Sequence, residues 1–182
     1  MKKKRNHTNW KIVLRALEPF DIDILYTWEN DQSIWHVSNT LAPFSRHTLE
    51  QYIENSYHDI HQARQLRLMI DAGFEDDNMI TVGAIDLFDY DPFHLRAGVG
   101  ILIGQSQHRN KGIATAALNE LIRYAFDILQ LHQLYCNVSV DNEASLRLFQ
   151  SAGFRIIGRK AEWNKIPGGF TDELLLQYIN RN

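Results

Sequence analysis

One stretch, Arg96–Leu129, constrains this chain more than any other. Arg96-Ala97-Gly98-Val99-Gly100-Ile101-Leu102-Ile103 is small and apolar and reads as a buried strand. Gly104 to His108 turn out of it, and Arg109-Asn110-Lys111-Gly112-Ile113-Ala114 opens a helix predicted over Lys111–Leu129. In that helix Ala114, Ala117, Leu118, Leu121, Ile122, Ala125, Ile128 and Leu129 recur at three and four, giving one apolar face. Strand, turn and a helix start with a glycine in its first turn make a backbone cradle for an anion. The unpaired amides of the first turn point outward, and the helix dipole adds about half a positive charge there. Gly112 lets the main chain approach a bound group with no side chain in the way.

The flanking elements follow in order. Trp10–Leu17 has strand character, with Ile12 and Leu14 facing one way. Pro19 and Asp21 start a helix whose buried side takes Ile22, Leu25, Tyr26 and Trp28, and Glu29-Asn30-Asp31 ends it. Ile34–Ser45 is a loop carrying Trp35, His36 and Phe44. Thr48–Arg64 is expected as one helix with Leu49, Tyr52, Ile53 and Ile60 along its apolar stripe. Leu66–Ala72 and Met79–Phe88 read as neighbouring strands joined by an acidic turn at Glu75-Asp76-Asp77. After the long helix come a strand at Leu134–Val140, a short helix capped by Asp141 or Asn142 with Gly153 at its end, and two strands around Ile166-Pro167-Gly168-Gly169. With no repeat or linker, residues 10–182 form one mixed α/β domain behind a flexible basic tail, residues 1–9.

Charge and cysteine content narrow the function. A net charge of -3 argues against a general nucleic-acid binder. No apolar stretch is long enough to span a membrane. The single cysteine, Cys136, fits a reducing compartment, so the cytoplasm is the default location. It lies mid-strand as a small hydrophobe. His58 and His61 lie three apart, but with no third ligand at matching spacing no metal site is expected.

The order of elements, with Arg109-x-x-Gly112-x-Ala114 and Asn142-x-x-Ser145-x-x-Leu148-Phe149-x-x-x-Gly153-Phe154, resembles the GCN5-related N-acetyltransferases over nearly the whole chain. Leu14-Arg15-Ala16-Leu17, Trp28-Glu29-Asn30-Asp31 and Thr171-Asp172-Glu173 are similar to the branch holding ribosomal-protein and spermidine acetyltransferases. The resemblance implies a mixed, mostly antiparallel central sheet flanked by helices and splayed between the central strand and the strand after the long helix. It implies acetyl-CoA as cofactor, its diphosphate on Arg109, Asn110, Lys111, Gly112, Ile113, Ala114 and Thr115. The pantetheine arm would then pair with Ile101, Leu102 and Ile103 near Asn142, Ser145 and Phe149.

The expected reaction is direct attack of a primary amine on the thioester, which needs a neutral amine and a proton for the departing sulfur. The sequence departs from the family where Phe149 replaces a usual proton-donating tyrosine and Gly98 a usual glutamate. Ser145, or a water it orients, is the expected proton donor; the competing reading is a serine bonding its own backbone. Glu29, Asp86, Glu162 or solvent could serve as base. The aspartates at 86, 89 and 91 and the acidic turn could draw in a cationic amine, and Trp35, Phe44 and Trp163 could stack on it. A protein N-terminus, a polyamine or another small amine such as an aminoglycoside would serve as acceptor, and self-association into a homo-oligomer stays open. Two rivals are a non-catalytic acyl-CoA-binding module and a strand-edge interaction protein without cofactor.

Overall fold

The computed structural model describes residues 10–35, 40–56, 59–74 and 78–181. The basic tail, His36, His58 and the acidic turn at 75–77 lie outside these residues. The strands are β1 (Lys11–Ala16), β2 (Leu66–Gly73), β3 (Ile80–Asp91), β4 (Arg96–Ile103), β5 (Gln133–Ser139), β6 (Arg155–Ile166) and β7 (Gly169–Ile179). They form one sheet in the order β1-β2-β3-β4-β5-β7-β6, antiparallel except for the β4–β5 pair. The helices are α1 (Ile22–Glu29), α2 (Arg46–Asn55), α3 (Ile60–Ala63), α4 (Ile113–Arg123) and α5 (Glu143–Ser151).

Strand alternation sends neighbouring side chains to opposite faces, so two cores form. On one face Ile70, Ile85, Val99, Leu134 and Cys136 pack against Ile113, Ala117, Leu118 and Leu121 of α4 and Phe149 of α5. On the other, Met69 and Ala84 lie under Leu25 and Trp28 of α1 and Leu49 and Ile53 of α2.

Three expectations are corrected. The helix predicted over Thr48–Arg64 is two helices, because the Asp59 side chain accepts from the amides of His61 and Gln62 and starts a new turn. The long helix begins at Ile113, and Tyr124–Ile128 form a widened turn in which the Leu129 amide donates to the Tyr124 carbonyl at 3.1 Å. One residue per turn is thereby added, and Ile128 comes off the apolar face to 67% exposure. Tyr26 is also exposed, beneath the Arg46 guanidinium.

β4 and β5 are paired only at Arg96–Gly98 with Gln133–Tyr135. Beyond Gly98, β4 continues to Ile103 bound to β3 alone, while β5 continues to Ser139 bound to β7. The sheet therefore opens between two strands that start side by side, as the resemblance implies.

Candidate active site

The loop after β4 carries the residues expected to hold an anion. Arg109 turns back, its Nε donating to the Ile103 carbonyl and its Nη2 to that of Gly104, each at 3.0 Å. Trp10 Nε1 donates to the Lys111 carbonyl at 2.8 Å and ties the loop to the rest of the sheet. Asn110 and Gly112 both take left-handed backbone, with φ of 59° and 87°. Left-handed residues on either side of Lys111 turn the chain sharply into α4, and alternation of this kind is what gathers amides round an anion. No side chain caps α4, whose first intrahelical bond is Ala116 N to the Gly112 carbonyl. The amides of Ile113, Ala114 and Thr115 are left for a ligand. A Cβ placed on Gly112 would meet nothing within 4 Å, so the space before these amides is open. The residues fit a diphosphate.

Next to this loop the free edge of β4, Val99–Ile103, can take an extended amide-bearing chain as a further strand. The face of β4 that carries Gly98, Gly100 and Leu102 is floored unevenly. A Cβ on Gly98 would lie 2.3 Å from the Phe88 ring, so Phe88 occupies the room a larger residue would need. Over Gly100 the floor is clear, the nearest atoms being Asp86 Cβ and Oδ2 and Phe88 Cε1, each 3.9 Å from a Cβ built there. Asp86 thus borders an open patch where β4 has left β5.

Asp86 is held by an arginine that the sequence did not single out. Arg67 of β2 stands opposite Asp86 and donates from Nε to Oδ1 at 2.7 Å and from Nη2 to Oδ2 at 3.2 Å. Its Nη1 reaches Glu29 Oε1 at 2.6 Å, and its guanidinium lies over the Tyr52 ring at 5.4 Å. Burial disfavours the charged guanidinium, but the Asp86 carboxylate, with Tyr52 and Glu29, outweighs it and holds the pKa above the ordinary arginine value. Burial also raises the Tyr52 phenol. The signal for Arg67 was a charged residue interrupting the apolar strand Leu66–Ala72.

Two further residues expected at the acceptor site are tied to the end of α1: Trp35 Nε1 donates to the Glu29 carbonyl at 3.0 Å, and the Phe44 amide to Asn30 Oδ1 at 2.8 Å. The acidic series divides. Asp89 accepts from the Tyr135 hydroxyl, and Asp91 caps the amides of Phe93 and His94 and pairs with Arg96. Glu162 is exposed at a bulge of the β6–β7 hairpin, and Trp163 stacks under Lys160 there. His61 packs edge-on to Tyr90, and no metal-binding group of three or more side chains is found among the described residues. No helix among them is long and apolar enough to cross a membrane.

On α5, Asn142 Oδ1 accepts from the Ser145 amide at 3.1 Å and caps the helix. Among the described residues the Ser145 hydroxyl makes no hydrogen bond, so it is not spent on its own backbone. Phe149 is 3% exposed, its ring edge-on to Phe154, and belongs to the core. Cys136 is buried and its thiol is pushed up to about 12 by burial. A Cys136→Ala variant should keep wild-type turnover. The native thiol should resist alkylation at about pH 8, where an unfolded thiol reacts.

An uncapped helix start beside an unpaired strand edge in mid-sheet is an arrangement that fits a diphosphate with an extended arm. The chain belongs to the GNAT acetyltransferase family, whose domain profile matches residues 11–155. It is 28% identical over 179 residues to a spermidine N(1)-acetyltransferase of Vibrio cholerae, across 96% of this chain and 99% of the relative. It is 27% identical over 180 residues to the putative ribosomal N-acetyltransferase YdaF of Bacillus subtilis, across 95% and 93%. The crystal structure of the Vibrio cholerae spermidine N-acetyltransferase with CoA and spermine superposes with a TM-score of 0.81 at 26% identity, covering 92% of this chain and 95% of that one. The protein is an acetyl-CoA-dependent N-acetyltransferase. A non-catalytic reading finds no support among these relatives.

Proposed function

We propose that the acceptor is the primary amine of a cationic aliphatic chain of the polyamine kind, and that it attacks from the open face above Gly100. The observation that carries this is the Asp86 carboxylate beside that glycine, at the place where β4 parts from β5. The spermidine acetyltransferases among the relatives support it. Asp86 and Glu29 draw in the ammonium, and Asp86 or a water at its oxygen takes the proton that leaves a neutral nucleophile. Trp35 and Phe44 offer apolar surface for methylenes. Residues 10–182 act as one catalytic domain.

Acetyl-CoA supplies the acetyl group as a thioester. In this reading the amides of Arg109–Thr115 bind its diphosphate and Ile101–Ile103 hold its extended arm alongside Asn142. The unengaged Ser145 hydroxyl, or a water on it, delivers the proton that the departing sulfur needs. A dodecameric structure of the Vibrio cholerae enzyme supports assembly of this chain with copies of itself.

Asp86→Asn tests the acceptor site. The KM for spermidine should rise about tenfold, while that for acetyl-CoA stays put. An unchanged spermidine KM would move the acceptor elsewhere. Ser145→Ala should lower kcat about a hundredfold with both KM values kept; an unchanged turnover removes Ser145 from the chemistry.

A further inference from the structure

We propose that Arg67 is a specificity-determining residue that limits how much positive charge the acceptor carries. This rests on the acceptor position above Gly100. A site meant only to collect a polycation needs carboxylates, and two are present in Glu29 and Asp86. Between them stands a guanidinium that engages both, with side-chain exposures of 20% for Arg67 and 18% for each acid. Arginine stays charged at every working pH, so the compensation is permanent. The cluster carries one net negative charge instead of two. Coulomb attraction scales with the product of the charges, so lowering the site's charge weakens a trication's binding more than a monocation's.

The position of Arg67 gives this compensation its reach. It lies in cross-strand register with the carboxylate that borders Gly100, and Tyr52 covers its guanidinium from α2. Three of its N–H groups are spent, two on Asp86 and one on Glu29. A cationic tail arriving at the same carboxylates meets a fixed positive charge in contact with both. Amines with one charge lose least by this, and those with several close charges lose most.

The test reads kcat/KM for n-butylamine, putrescine and spermidine at low ionic strength. Arg67→Met keeps the length and removes the charge, and should raise the spermidine-to-butylamine ratio about tenfold, through KM. The gain should shrink as salt is added. Arg67→Lys keeps the charge and should hold the ratio near wild type whatever it does to turnover. Glu29→Gln takes the cluster to neutrality and should lower the ratio, which tests the same idea if Arg67→Met does not fold. A ratio that ignores both Arg67→Met and Glu29→Gln, or that Arg67→Lys shifts as far as Arg67→Met does, overturns the proposal. If Asp86→Asn raises acceptor KM while Arg67→Met leaves the ratio alone, the acceptor site stands and only the role of Arg67 falls. If Asp86→Asn leaves every acceptor KM unchanged, both fall.

Discussion

Gly112→Asp should abolish the thermal stabilisation that CoA gives the protein and raise the KM for acetyl-CoA about a hundredfold, with the fold intact. Aspartate is among the residues that tolerate left-handed backbone, the conformation position 112 requires. Its charge at the start of α4 also complements the helix dipole, a gain of about 0.3–1 kcal/mol that offsets much of the remaining strain. Apart from its chain neighbours, nothing lies within 4 Å of the new Cβ, so the only strain is that of the backbone angle itself. What changes is the field before the amides of Ile113–Thr115, where a carboxylate now repels a diphosphate. Gly112→Ala adds bulk without charge and should fall between the two. Equal CoA shifts in wild type and Gly112→Asp would remove this loop from cofactor binding.

Gly83→Ala should cost about 3 kcal/mol or more of stability, read from urea unfolding. A Cβ at 83 lies 2.2 Å from the Leu102 carbonyl oxygen, which is backbone and cannot swing aside. The β3–β4 ladder at Ala84–Leu102 and Gly83–Ile103 must then open, and β4 loses the partner that keeps its other edge straight. Gly100→Ala is the matched control. Its Cβ meets Asp86 and Phe88 at ordinary contact distance, 3.9 Å, so it should fold normally and harm only the acceptor KM. A Gly83→Ala variant as stable as wild type would mean that β3 and β4 have room for a side chain at this position.

What the sequence disclosed follows from the range of the interactions. The apolar period of α4, the Asn142 cap and the glycine at 112 are local, and each left a local mark. The mostly antiparallel sheet with its opening between β4 and β5 followed from the family resemblance that the succession of elements carries. Less was visible where partners are far apart in the chain. Arg67 meets Glu29 and Asp86 across 38 and 19 residues, and a charge in a strand reads as solvent-facing until its partners are known. The acidic series looked like one field because its members are adjacent. A turn cap at Asp91 and the Tyr135 bond at Asp89 separate them in space. The widened turn at Tyr124–Ile128 has no residue signature, so the apolar period wrongly places Ile128 on the apolar face while it places Ala125 and Leu129 correctly.

The short β4–β5 ladder has a mechanical consequence. The sheet is two plates, β1–β4 and β5–β7–β6, joined at a single corner by three residue pairs. The angle between the plates, and so the width of the mouth that must admit a thioester, is set by how that corner is wedged. Ala97 and Leu134 pair across it, and both are fully buried, as is Ala117 of α4 in the same core. Enlarging any of them would pry the plates to a new angle and change coenzyme affinity without touching the coenzyme, placing control of the mouth at the far end of the lever.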